Sequence, residues 1–388
     1  MKDYLLSVVI PTRNRQEYTI QAIRQILGVT DGKTQIVIQD NSDDQSLFEM
    51  IQEIDTQRIV YHYTPEPLSF VDNFEIATKL ATGEYVTLIG DDDGVLPAIT
   101  QIAQYAKDNG YDCVTSKVLV TYYWPHSGAK KAGCTEETGY FRLNKYTNTH
   151  MSVDVPKHLE KVLRNGCQFY HSSGIPKIYH GLVRNTLLEE IRNDYGRLYS
   201  GLSPDIYSAF CISALNRKTL YVDFPYTIDG NCKKSGAGAQ AQGKHTGSLK
   251  DAPHFRGNPN YQWEELVPQV FSVQTIWADS GLTAVRQLGR QDLLEKFSIE
   301  RLCAYTMVNN RVIWSETFQE YLRIRKVGRF VGVLKLIPAF ITGPIPNLCG
   351  RAWRRIIGLG RTGTIVNNIP DISVAGQEIN KIIGSWKG

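Results

Sequence analysis

The chain has 388 residues, 42% of them hydrophobic, with a formal net charge of +4. That length exceeds one ordinary domain and implies a large domain with an appendage. The seven cysteines contain no CxxC pair, which argues for a reducing compartment and against a zinc site. No run of about 18 uncharged apolar residues occurs, so no membrane-spanning helix is expected. The apolar run Leu5 to Ile10, closed by Pro11, is too short for a secretory signal core.

Taken in order, Leu5 to Ile10 reads as a first strand and Tyr18 to Leu27 carries apolar residues at helical spacing. Gln35 to Ile38 is a second strand, a helix follows through Leu47 to Ile54, and Arg58 to Tyr63 is a third strand. Phe70 to Leu80 is a helix, with Thr82-Gly83 as its expected glycine cap. Tyr85 to Ile89 is an apolar strand that runs into Gly90-Asp91-Asp92-Asp93, and a helix begins near Pro97. This alternation predicts a parallel sheet flanked by helices. Three adjacent carboxylates at a strand end repel one another and call for a cation. Mg²⁺ bound by carboxylates and substrate phosphates is one solution; an acidic strand-to-helix turn is the plainer one.

Further on, Cys113 to Tyr122 and Ile178 to Val183 read as strands, with an irregular insertion over the site from 123 to 174. Helices are expected at Thr186 to Ile191 and Pro204 to Leu215, with a strand at Leu220 to Phe224. Residues 229–259 read as a loop, and 263 to about 321 as helical throughout. From Tyr321 to Pro370 nine Lys or Arg stand without an acid, leaving 34 basic against 39 acidic residues elsewhere. This mixture of basic and apolar residues reads as an amphipathic tail for an anionic membrane surface, the plainer alternative being a helical cap packed on the body with its charges in water. Two glycine-rich strings, Gly358 to Gly363 and Gly236 to Ala241, lack the strand-before, helix-after context of a dinucleotide site.

Four segments in order resemble glycosyltransferase family 2: Ser7 to Asn14, Ile38 to Asp44, Asn73 with Ala81 to Tyr85, and Gly90 to Asp93 followed by Pro97. The resemblance covers roughly residues 5 to 225. It implies an α/β GT-A (Rossmann-like), mostly parallel sheet with a C-terminal helical extension. The expected units are 1–260 (donor half 1–122, acceptor half 123–260) and, read from the residues themselves, a helical region 261–388 with its basic tail starting near 321. The resemblance implies an inverting transferase taking a nucleotide-sugar, typically UDP-linked, with Mn²⁺ or Mg²⁺; the expected acceptor is a glycan or, from the membrane reading of the basic tail, a lipid-linked oligosaccharide. Pro11, Thr12, Arg13, Asp40 and Asn73 would bind the nucleotide, and Asp92 would hold the metal, with Asp93 and His245 as further ligands; the plainer readings are an Asx turn for Asp40 and a solvated surface charge for Arg13. His171 and His180 are lesser candidates, and Lys233, Lys234 and Lys244 would meet phosphates. The family often has Asp where Gly90 stands, so its ribose contact is either missing or supplied by Asp91. Asp205, in Ser203-Pro204-Asp205, matches the family's acidic motif and would be the general base; the same three residues also make a good helix start. Trp124 would stack on an acceptor sugar or belong to the core. A cytoplasmic enzyme held at the inner membrane face is expected, with no nucleic-acid partner. The alternatives are a sugar-1-phosphate nucleotidylyltransferase, disfavoured by the glycine-free Pro11 to Arg15 loop, or a non-catalytic glycan- or membrane-binding scaffold.

Overall fold

A computed structural model describes residues 3–54, 57–128, 137–233, 261–356 and 363–388. Its first half is built from β1 (Leu6–Thr12), α1 (Gln16–Val29), β2 (Thr34–Asp40), α2 (Ser46–Gln52), β3 (Ile59–Tyr63), α3 (Phe70–Lys79) and β4 (Tyr85–Leu88). β1, β2 and β4 are buried along their whole length, as continuous apolar runs demand of strands covered on both faces. The four strands pair in parallel in the order β3-β2-β1-β4. The chain leaves β1 toward β2 and β3, then returns to place β4 on β1's other side. The crevice at the carboxyl ends of β1 and β4 is therefore a topological switch point, where open α/β sheets bind ligands.

After β5 (Gly94–Val95) and α4 (Ala98–Asp108), the expected strand Cys113 to Tyr122 divides in two. β6 (Cys113–Thr115) joins the main sheet, and β7 (Val120–Tyr123) joins a second sheet. Local composition cannot distinguish one strand from two that belong to different sheets. The 123 to 174 region is not only irregular: it holds β8 (Gly139–Leu143), β9 (His150–Ser152) and α5 (Val155–Arg164). Next come β10 (Leu182–Arg184), α6 (Asn185–Tyr195), α7 (Pro204–Ala214), β11 (Thr219–Val222) and β12 (Thr227–Asn231). The main sheet runs β3-β2-β1-β4-β10-β6-β11-β9, and the second β13-β8-β7-β12-β5. β10 is antiparallel to both its neighbours, so the sheet is mixed.

Gly83 does not cap α3, which ends in a helical Leu80. A Cβ on Gly83 would lie 2.6 Å from the Ser7 backbone nitrogen, and the Gly83 N–H donates to Ser7 Oγ at 2.8 Å. The glycine is there for close approach to β1 rather than for a left-handed turn.

The C-terminal part begins with an irregular stretch over 261–272, not a helix. It continues with α8 (Val273–Gln287), α9 (Gln291–Leu294), α10 (Ile299–Asn309), α11 (Trp314–Arg325), α12 (Arg329–Thr342) and α13 (Pro344–Ile356). It then departs from the expectation of a purely helical extension. β13 (Thr364–Ile369) pairs antiparallel with β8, and α14 (Ile372–Ile383) packs beside α1. Ile369, Ile372, Ala375, Ile379 and Ile383 are buried in the same core cluster as β1, β2 and α4. Among the described residues one helical stretch, Arg329–Gly350, is long and apolar enough by length and composition to cross a membrane. This revises the expectation of none: the strict count of uncharged residues stopped at Lys335, and Pro338 sits inside α12 rather than ending it.

Candidate active site

The switch-point crevice opens into a cavity of about 650 Å³. Pro11, Thr12, Arg13, Asn73, Asp91, Asp92 and Asp205 all line it. Thus β1, α3, the loop after β4 and the start of α7 bring together seven of the residues singled out in the sequence. Asp40 and Asp93 do not line the cavity, and His245 lies outside the described residues.

The loop after β4 is held by protein cations. Arg15, just beyond β1, approaches Asp91 with Nη2 at 2.7 Å from Oδ1 and Nε at 3.0 Å from Oδ2. Its Nη1 is 3.6 Å from Asp92 Oδ1. Thr12 Oγ1 donates to Asp91 Oδ2 at 2.7 Å. Burial pulls the Arg15 pKa down, but Asp91 and Asp92 outweigh it and raise it. Burial raises the pKa of Asp91, opposed by Arg15 and Thr12. Asp92 accepts the Cys232 N–H at 3.0 Å, and its carboxyl is pushed up to about 7 by burial and by its neighbours Asp93 and Asp91.

Asp93 is occupied differently. It accepts from the Gly90 N–H (2.6 Å), the Gly230 N–H (2.6 Å) and Tyr179 Oη (3.0 Å), with His180 Nε2 at 3.2 Å. Burial alone would raise its pKa; His180 and these hydrogen bonds outweigh that and lower it. Gly90 fits this arrangement, since a Cβ there would come within 3.0 Å of Asp93 Oδ2 and 3.2 Å of Asp92 Oδ1. β12 passes so close beneath the loop that a Cβ on Gly230 would lie 1.7 Å from the Asp92 carbonyl oxygen. Asp229, beside it, lines the cavity, and burial together with Asp93 raises its pKa to about 6. Ligand atoms of Asp93, His180 and Asp229 lie within 4.8 Å of one another, and among the described residues no hydrogen bond reaches the buried His180 Nδ1. Four carboxylates, Asp91, Asp92, Asp93 and Asp229, face Arg15 and His180 as the nearby cations. This hard-oxygen, net-negative set fits a divalent ion such as Mg²⁺ or Mn²⁺.

Asp40 Oδ1 accepts the Ser42 N–H at 2.9 Å, and Oδ2 accepts from Tyr61 Oη at 2.9 Å. Its carboxylate thus makes the Asx turn after β2, and Asn41 takes the place beside it in the cavity wall. Arg13 pairs at 3.6 Å with the exposed Asp43. Asn73 Nδ2 reaches the Thr12 carbonyl at 3.4 Å, and its buried Oδ1 has no partner among the described residues.

Asp205 stands on the first turn of α7, with Pro204 ahead of it. Ser203 occupies the cap position, but its hydroxyl donates to Asp205 instead of capping the helix. Tyr170 Oη donates to the other carboxylate oxygen. The segment before α7 is fixed from both sides. Glu75 accepts the Leu198 and Tyr199 N–H groups at 2.9 and 3.1 Å, and Ser280 Oγ accepts those of Leu202 and Ser203 at 3.0 and 2.9 Å. His171 lies against Trp277, 5.6 Å between ring centres, and burial lowers its pKa. Trp124 is a core residue: its Nε1 donates to the Asp92 carbonyl at 2.9 Å and its ring meets Tyr18 edge-on.

Sequence reasoning missed Arg15, Tyr170, Tyr179 and Asp229. For Arg15 a signal existed, a basic residue just past β1, but its relevance required β1 and β4 to be neighbours.

Residues 7–158 match the family model Glycosyl transferase family 2. With the GT-A-like α/β fold, this match makes residues 7–158 similar to family 2 and supports a nucleotide-sugar-dependent glycosyltransferase. Among solved structures it is similar to S. aureus TarS residues 1–349 in complex with UDP-GlcNAc, at 13% identity and a TM-score of 0.50, covering 86% of this chain and 89% of that one. The UDP complex of the same TarS fragment matches at 15% identity and a TM-score of 0.46, covering 84% and 92%. At these identities the TarS likeness speaks for the fold alone. No curated protein matches the chain.

Proposed function

We propose that this protein transfers a sugar from a UDP-sugar to a hydroxyl of a glycan or lipid-linked acceptor, with inversion at the anomeric carbon. The observation that carries this reading is one cavity lined by Thr12, Asn73, Asp91 and Asp92 on one side and Asp205 on the other. The UDP part of the proposal follows the fold likeness to TarS, whose solved complex holds UDP-GlcNAc.

In this reading Pro11, Thr12, Arg13 and Asn73 hold the nucleotide, with the free Asn73 Oδ1 available to a donor group. Asp205 takes the proton from the acceptor hydroxyl as that oxygen bonds to the anomeric carbon. The bond from that carbon to the diphosphate breaks, and UDP leaves with the electron pair. Ser203 and Tyr170 fix the direction in which Asp205 presents its carboxylate. Asp92 and Asp229 would hold a divalent ion, which when bound neutralises charge on the departing diphosphate.

Asp205→Asn should lower transfer by about 10²- to 10⁴-fold while calorimetric UDP binding in Mn²⁺ stays near that of the parent. Undiminished turnover in that variant would refute the base assignment. Absence of metal-dependent UDP binding by the parent would favour a non-catalytic scaffold.

The basic, apolar helices support placement on the inner face of an anionic membrane. Phe330, Val331, Leu334, Ile337 and Ile341 are exposed, and only 28% of the apolar window in Arg329–Gly350 is buried. Deleting everything beyond 321 would also remove β13 and α14 from the core, so point substitutions are the sounder test. Phe330→Ser with Leu334→Ser should abolish flotation with anionic liposomes. Equal flotation would show that these helices are not the anchor.

A further inference from the structure

A second cavity, of about 720 Å³, lies between β9, α5, the segment 165–174 and the C-terminal helices. It shares no lining residue with the donor cavity. Its character is set by Lys157 and Lys161, one turn apart on the exposed face of α5, and by the rings of Phe169, Tyr221 and Tyr305. Among the described residues no carboxylate stands within ion-pair distance of either lysine. The one acid in the described lining, Asp154, is spent capping α5 through the Lys157 N–H at 3.1 Å. Two ammonium groups thus face an open space edged by aromatic faces and by the hydroxyls of Ser172 and Ser173. Aromatic faces with a few polar groups suit sugar rings, and unpaired lysines suit an anion on them.

The wall of this cavity is also the support of the proposed base. Phe169 is held at a left-handed φ of 62°, costly for a residue with a Cβ, and its ring is exposed into the cavity. The next residue, Tyr170, is buried and gives its hydroxyl to Asp205. One turn of chain therefore presents an aromatic face to the second cavity and a hydrogen bond to the active site. Tyr305 and Asn347, which close the far side, come from α10 and α13, outside the stretch matched by the family model.

We infer that this cavity grips a distal anionic segment of the acceptor, a saccharide stretch bearing carboxylate or phosphate groups. This rests on the transferase reading above. Binding energy from such a remote segment would be used to orient the reacting hydroxyl at Asp205.

The test is calorimetric titration of the full chain with tri-galacturonate, mannose 6-phosphate and neutral maltotriose, and separately with UDP and Mn²⁺. The expected result is saturable binding of at least one acidic probe in preference to maltotriose. Lys157→Glu with Lys161→Glu, both at exposed positions, should weaken it by about tenfold or more and leave UDP binding unchanged. The carboxylate and phosphate probes distinguish the two anions. Binding of neither acidic probe, equal binding of maltotriose, or an unaffected double variant would overturn the inference. If UDP binding is intact, any of those results leaves the transferase reading standing; loss of UDP binding in the parent is what removes it.

Discussion

Replacing Arg15 with Leu isolates the part that protein cations play in the acidic loop. Asp91 is fully buried, while the Arg15 side chain is 22% exposed. The substitution removes the two close guanidinium contacts, at 2.7 and 3.0 Å, and leaves Asp91 with the Thr12 hydroxyl. Breaking a buried pair by deleting one partner costs about 3–5 kcal/mol. The partial exposure of Arg15 places this case at the low end, about 3 kcal/mol. An unfolding entropy near 2.1 cal/mol/K per residue gives about 0.8 kcal/mol/K for a chain of this length, hence a fall in Tm of about 4 °C. Scanning calorimetry without metal or nucleotide reads that shift. Pairing the substitution with Asp91→Asn removes the stranded charge and should recover much of the loss, because the two sites are coupled. A single variant that melts with the parent, or a double variant no better than the single, would refute the view that Arg15 neutralises the loop.

Two further outcomes follow from the packing. Gly230→Ala forces a Cβ against the Asp92 carbonyl, so β12 or the 91–93 loop must shift; UDP affinity in Mn²⁺ should fall by about tenfold or more, and an unchanged affinity would show that the contact relaxes freely. Asp279, buried on α8, accepts from Tyr261 Oη at 2.5 Å and the Glu264 N–H at 2.8 Å, and burial raises its pKa to about 7. A carboxyl whose folded pKa exceeds the unfolded value binds more protons when folded, so its contribution to stability falls as pH rises from about 4 to about 7. Asp279→Asn should flatten the pH dependence of Tm across that window by up to about 4 kcal/mol of stability. Parallel curves for variant and parent would contradict the assignment.

The parts legible in sequence were those whose signal is local. β1, β2 and β4 announce themselves as apolar runs ending at polar or acidic loops, and Ser203-Pro204-Asp205 announces a helix start. The cavity then unites Thr12, Asn73, Asp91, Asp92 and Asp205 because parallel strands bring their carboxyl ends to one edge. What stayed hidden was set by pairing across the chain. Asp40 looked like a cavity residue until Tyr61 and Ser42 took its oxygens. Asp93 reads in the sequence only as one of three acids in a row; that its oxygens also meet Gly90, Gly230, Tyr179 and His180, with Asp229 close by, depends on strands far along the chain. Gly83 looked like a cap but answers to Ser7, on a strand whose proximity no local pattern reports. Thr364–Ile369 was concealed because a short strand after a basic segment has meaning only beside β8.

That late strand has a consequence for how the protein is made. During synthesis β8 emerges long before its partner β13, and the apolar side of α14 reaches the α1 core later still. The intervening stretch, on the order of 200 residues, takes roughly 10 to 40 s to synthesise at common elongation rates. Through that interval an unpaired strand edge and part of the core stand open to solvent and to other chains. The sugar-transfer domain is therefore unfinished until residues far outside it arrive, and a prematurely terminated product would carry a sticky, incomplete second sheet. Cells that depend on this enzyme have reason to shield the nascent chain over that interval, and shortened versions designed around the family-matched segment should aggregate instead of reporting on catalysis.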